Sequence, residues 1–165
     1  MQINFRFFRN DLPVSARATL GSMSGNIEIV TREFEIGDYD TALELWKKVE
    51  GLDVAEGDDR ETIGRFLERN PALSRIATVE SRTIGAVLCG HDGRRGYIYH
   101  LAVDPEYHGS GVGRRMIEEC LAGLKRAGLE RVNLLVADDN TRGREFWKRC
   151  GWEDLEGALA MGRDV

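Results

Sequence analysis

Six consecutive residues, His108-Gly109-Ser110-Gly111-Val112-Gly113, have the composition of an anion-binding turn. Glycines at 109, 111 and 113 let the backbone bend sharply and leave its N–H groups uncovered by side chains. Where a helix begins, the first N–H groups lack intrahelical acceptors and point together along the positive end of the helix dipole. Phosphate is held at such a point without a basic side chain. The expectation is a phosphate-bearing ligand. A nicotinamide nucleotide fits poorly, because its G-x-G-x-x-G turn opens a first βαβ unit. Here the glycines come late and are spaced differently.

The elements that must position this turn are legible on both sides. Gly96 to Val103 reads as a long strand, stopped by Asp104-Pro105. After the turn, Ile117, Cys120, Leu121 and Leu124 follow i, i+3, i+4, i+7 spacing, which predicts a helix with one buried face and a stop at Gly128. Upstream, Ile27–Thr31 reads as a first strand. A helix carrying Ala42, Leu45 and Trp46 follows, then a second with Ile63, Phe66 and Leu67 that ends at Asn70-Pro71. Ser74–Glu80 and Thr83–Cys89 read as a hairpin turning at Ser81-Arg82. Downstream, Arg131–Val136 is apolar on both faces and so predicts a central strand. A last helix over Phe146 and Trp147 starts at Asp139 or Asn140. The tail from Trp152 to Val165 predicts one or two edge strands. The order β-α-α-β-β-β-α-β-α-β calls for an α/β domain around one mixed sheet, with helices on both faces.

At 165 residues the chain is most simply one domain. Its formal net charge of −5 argues against nucleic acid, which needs clustered Lys and Arg. Cys89, Cys120 and Cys150 lack the spacing of a disulfide framework or a metal site, so no metal is expected. No apolar run approaches the ~18 residues of a membrane span, and a cytoplasmic protein is expected. Residues 1–25 hold three arginines against one acid and predict an extension outside a 26–165 domain, with Met23 as an alternative start. Phe5 and Phe7 offer an added strand against the body or a second copy in a homodimer.

The run Ile98 to Ile117, a strand followed by a glycine turn and a helix, resembles the [QR]-x-x-G-x-[GA] segment of the GNAT superfamily of N-acetyltransferases. Asn140, Phe146, Trp147, Gly151 and Trp152 resemble that family's second signature, N-x-x-A-x-x-[FL]-Y-x-x-x-G-[FW], in the same order. The likeness covers residues 27 to about 160. It implies a mixed, mostly antiparallel sheet of six to seven strands with four helices on both faces. It also implies transfer of an acetyl group from acetyl-CoA to an amine, small or on a protein. A coenzyme-A-binding module without turnover is the alternative.

The resemblance assigns roles to particular residues. Backbone groups of Leu101, Ala102 and Val103 would hold the pantetheine arm, and amides of His108, Gly109, Ser110, Gly111, Val112, Gly113 and Arg114 the pyrophosphate. Asn140 would contact the arm and Lys148 the nucleotide end. An N–H near Leu101 would stabilise the oxyanion. The acidic stretch Glu50, Asp53, Glu56, Asp58, Asp59 would border a cationic acceptor.

The chain also departs from the family pattern. His108 stands for Gln or Arg, Ser110 for a basic residue and Gly143 for Ala. Trp147 stands where a Tyr protonates the departing thiolate, and indole is no acid. A thiolate, whose acid has a pKa of about 8.5, needs that proton little. Tyr97 and Leu135 occupy positions where other members carry a carboxylate, so the sequence supplies no obvious general base. Water-mediated deprotonation is the default, and Tyr97 or Tyr99 are the candidates to handle the acceptor's proton. By period-two geometry Tyr97 and Tyr99 share the face of Leu101 and Val103. His100 then points the other way unless a bulge intervenes.

Overall fold

The computed structural model describes residues 28–52 and 54–163. The expectations for residues 1–25, including the Phe5/Phe7 strand, and for Asp53 lie outside the described residues.

One five-stranded sheet carries the architecture, in the order β1-β2-β3-β4-β5. The strands are β1 (Val30–Glu33), β2 (Arg75–Val79), β3 (Arg82–His91), β4 (Gly96–Val103) and β5 (Val132–Asn133). The first four run antiparallel and β5 runs parallel to β4. Glu80 and Ser81, both at positive φ, make the tight turn between β2 and β3.

Two helices cover one face: α1 (Tyr39–Lys48) and α2 (Arg60–Arg69). They bury Phe34, Trp46 and Ile63 against Ile76, Leu88 and Ala102. Helix α3 (Val112–Arg126) covers the other face through Val112, Met116, Cys120 and Leu124. It lies close because Gly85 and Gly96 present no side chain: a Cβ there would come within 2.8 Å of Met116 and 2.6 Å of Leu124. Helix α4 (Thr141–Arg149) has no fully buried residue. It is tethered by Trp147, which packs against the core on the α3 side together with Trp152; the Trp147 ring meets those of Phe146 and Trp152 edge-on at 5.4 and 5.2 Å.

Two expectations give way here. The sheet has five strands among the described residues, not six to seven, because residues 152–163 form no strand. The run Arg131–Val136 is not a central strand. It pairs with β4 only at Gly96↔Val132 and Tyr97↔Asn133, at the sheet edge, and leaves Leu135 65% exposed. Beyond Tyr97 no residue of β4 pairs with the chain that follows β5, so this edge of β4 carries no ladder among the described residues. Apolar sequence signalled contact with the core, which Leu134 makes, and not hydrogen-bonded pairing.

Candidate active site

The edge of β4 left unpaired beyond Tyr97 runs on to Val103, just before the turn that opens α3. Asp104 ends β4 and caps the short 3-10 turn Pro105–Tyr107 by accepting from the Glu106 N–H. Gly109 and Gly111 then adopt φ of 81° and 85°, the left-handed region that glycine tolerates at no cost. Gly111 is the N-cap of α3 and brings no side chain to its amides. The N–H groups of His108 and Ser110 bond to Pro105 and Tyr107. Those of Gly109, Gly111, Val112, Gly113 and Arg114 find no backbone acceptor among the described residues. Space above the turn is open, since a Cβ on Gly109 or Gly111 would meet nothing within 4 Å. Gly113 serves differently: it packs α3 against Val103 and Phe146.

Side chains expected at this cleft are partly committed elsewhere. His108 Nε2 lies 3.0 Å from the Val103 carbonyl, and Arg142 of α4 reaches its Nδ1 at 3.3 Å. The carbonyl can only accept, so Nε2 carries the proton and Nδ1 accepts from the guanidinium. The Val103 carbonyl is thereby already used within the chain. Ser110 Oγ donates to the Tyr107 carbonyl. Arg114 sends its guanidinium to the Arg149 carbonyl at the end of α4, leaving its amide for the turn. Asn140 is the N-cap of α4, accepting from the Gly143 N–H at 2.6 Å. Gly143 suits that role, because a Cβ there would stand 2.5 Å from the Asn140 amide. Lys148 pairs with Asp154 at 2.8 Å.

The other half of the site lies on the α1–α2 face, and a bulge in β4 creates it. Ala86 faces Ala102 and Leu88 faces Tyr99, so Val87 alone stands opposite both His100 and Leu101. His100 takes φ of 49°. The extra residue switches the alternation. Leu101 and Val103 pack on the α3 side, whereas Tyr99 meets Phe66 of α2 edge-on at 6.1 Å and stacks on Tyr97 at 5.9 Å. The shared face expected for Tyr97, Tyr99, Leu101 and Val103 is therefore corrected. A backbone bulge breaks period-two geometry without any change in residue type that would announce it.

A cavity of about 200 Å³ opens there, walled by Asp58, Phe66, Leu88, Tyr99 and His100 among others. A second of about 200 Å³ continues past Phe66 and Tyr99 toward Tyr97 and Asp92. Burial, then the charges of Tyr97 and Asp92, push the Tyr99 hydroxyl above its usual pKa. Asp58 Oδ1 lies 2.7 Å from His100 Nε2. Burial pushes its carboxyl up, but bonds from His100 and the Ala55 N–H outweigh this and hold it below the usual carboxylate range. Of the other acids expected to border an acceptor, Asp59 caps α2, while Glu50 and Glu56 are exposed. The Asp58–His100 pair was not singled out by sequence. Asp58 stands out there only as one acid of a loop and His100 only as a strand residue beside the motif, and 42 positions separate them.

Among the described residues there is no His, Cys, Asp or Glu cluster able to hold a metal, and no helix long and apolar enough to cross a membrane.

Comparison with known proteins agrees with this arrangement. The profile of the Acetyltransferase (GNAT) family matches residues 39–152. An acetyltransferase of Sodalis glossinidius is 29% identical over 132 residues, 80% of this chain and 92% of the relative. In fold, the apo aminoglycoside 6'-N-acetyltransferase AAC(6')-Ig of Acinetobacter haemolyticus superposes with a TM-score of 0.67 at 17% identity, covering 84% of this chain and 99% of that one. The NatC complex bound to Gag peptide and CoA gives 0.61 at 23% identity, over 74% and 82%. The family match spans the cleft, the glycine turn and α4 alike: the chain belongs to the GNAT acetyltransferase family and is an acyltransferase.

Proposed function

We propose that the protein moves the acetyl group of acetyl-CoA to a primary amine. The observation that carries this reading is the set of five N–H groups in the glycine turn and the first turn of α3 that find no backbone acceptor among the described residues, with open space at Gly109 and Gly111. A diphosphate seated there would accept from the amides of Gly109, Gly111, Val112, Gly113 and Arg114. The unpaired edge of β4 beyond Tyr97 would take the pantetheine arm through Leu101 and Ala102. Asn140 would contribute its free amide N–H from the facing side. Acetyl-CoA supplies an activated thioester, and the N–H of Leu101 would stabilise charge on its carbonyl oxygen.

The acceptor would enter from the α1–α2 face, between Asp58 and the Tyr97–Tyr99 stack. A carboxylate and aromatic faces together favour a cation, which fits an alkylammonium group. Likeness in fold to an aminoglycoside acetyltransferase and to a peptide-bound complex supports small amines and peptide amino termini as the first acceptors to try.

Calorimetric titration with CoA, followed by thiol release from acetyl-CoA with spermidine, kanamycin and an alanine-initiated peptide, tests the reading. Micromolar CoA binding and thiol release dependent on one amine class are expected. Absence of CoA binding would overturn it.

A further inference from the structure

We infer that His100, oriented by Asp58, is the group that takes the acceptor amine's proton. This rests on the acetyltransferase reading above and adds the base that reading lacks. Four observations place it. The Asp58 carboxylate can only accept, so the neutral imidazole bonded to it carries its proton on Nε2 and its lone pair on Nδ1. Nδ1 has no partner among the described residues, yet no buried side-chain nitrogen there lacks one, so Nδ1 is reached by solvent. His100 also walls the cavity in which the acceptor would sit. Finally, His100 immediately precedes Leu101, whose N–H would meet the reacting carbonyl, and the bulge puts both opposite Val87.

The conformation is held in place as a working geometry requires. A non-glycine residue in the left-handed region is strained and persists only where its surroundings fix it. Trp46, fully buried, donates its Nε1–H to the His100 carbonyl at 3.1 Å and lays its ring against the imidazole at 4.9 Å. Asp58 holds the other end of the ring and is itself tied by the Tyr39 hydroxyl, which donates to its carbonyl. Tyr99 is a poorer choice in this setting, since a phenol pushed above its usual pKa stays protonated at neutral pH and has no phenolate to offer.

In the step so defined, the ammonium gives one proton to Nδ1 and its freed lone pair forms the new C–N bond. The C–S bond breaks with its electrons on sulfur. The second amine proton and the imidazolium proton leave to that sulfur and to solvent, giving amide and free thiol.

His100→Gln and Asp58→Asn test the assignment. The titratable groups around His100 are Asp58, bonded to its Nε2, and Tyr99 on the same cavity wall; Asp59 at the start of α2 and Tyr39 on α1 adjoin Asp58. Calorimetric affinity for CoA should stay within about twofold of wild type in both variants, because neither residue touches the glycine turn. Turnover with the amine series should fall about 10²–10⁴-fold in His100→Gln, the range for loss of a positioned base. The acidic limb of the wild-type pH–rate profile should disappear with it. Asp58→Asn should lose less and displace that limb. Independently of turnover, long-range ¹H–¹⁵N spectra should show the neutral His100 ring protonated at Nε2. With only three histidines, the variant assigns the signal. An Nδ1–H ring, or His100→Gln with unchanged turnover and pH limb, would overturn the proposal. So would CoA binding by the wild-type chain without turnover on any amine. Failure of the wild-type chain to bind CoA would overturn the acetyltransferase reading instead.

Discussion

Main-chain geometry at single residues separates the two halves of this site. Gly111, at φ of 85° with open space above it, exposes amides that a side chain would cover. Gly111→Asp should weaken CoA binding at least 100-fold by calorimetry, since its carboxylate would occupy the anion's place and repel what remains. An unchanged affinity would remove the turn from the site. Trp147 tests the opposite case, a residue that interrupts the family pattern yet packs well. Trp147→Tyr should leave turnover equal or modestly raised, because a thiolate leaves without help. Its melting point should drop slightly, as aromatic edge contacts with Phe146 and Trp152 are each worth about 0.5–1.5 kcal/mol. A large loss of turnover would give the indole a role beyond packing.

At the scale of elements, β4 is the part on which the cleft depends, and its far end is fixed by Asp104. That carboxylate is 2% exposed and accepts from Lys48 of α1 at 2.8 Å and Arg82 of β3 at 2.6 Å. Removing one partner of a buried pair costs about 3–5 kcal/mol. Both cations are half-exposed and can turn to water, so about 1–3 kcal/mol is the expected loss in Asp104→Ala by urea unfolding. A loss below a few tenths would show that β4 is fixed by its ladder alone. The bounds of β4 and the spacing of α3 were readable because each combines an unbroken apolar period with a clear stop, at Asp104-Pro105 and Gly128. Neither the bulge at His100 nor the brevity of β5 was readable. A bulge is set by Trp46 and Asp58 reaching in from elsewhere in the chain. Leu134 and Leu135 are chemically alike, although one packs against the core and the other stands in solvent.

Across the whole molecule, the acidic balance that argued against nucleic acid also sets a limit on stability. Several aspartates are held below their usual range in the fold: Asp38 by Arg32, Asp59 and Asp92 by backbone N–H groups, and Asp154 by Lys148. Asp104 joins them: burial pushes it up, and Lys48, the Glu106 N–H and Arg82 more than reverse this. Their folded pKa values lie below an unfolded value of about 3.9, so near that pH the unfolded chain binds more protons than the folded one. Their contribution is therefore complete above about pH 5 and is lost as the pH falls through 4 toward the folded values. The urea midpoint should hold level from pH 7 to 5 and then fall steeply toward pH 3. Asp104→Asn should start lower at pH 7 and show a shallower fall, since it no longer titrates. A midpoint that stays constant down to pH 3 would mean that these ion pairs and caps contribute nothing to the folded state.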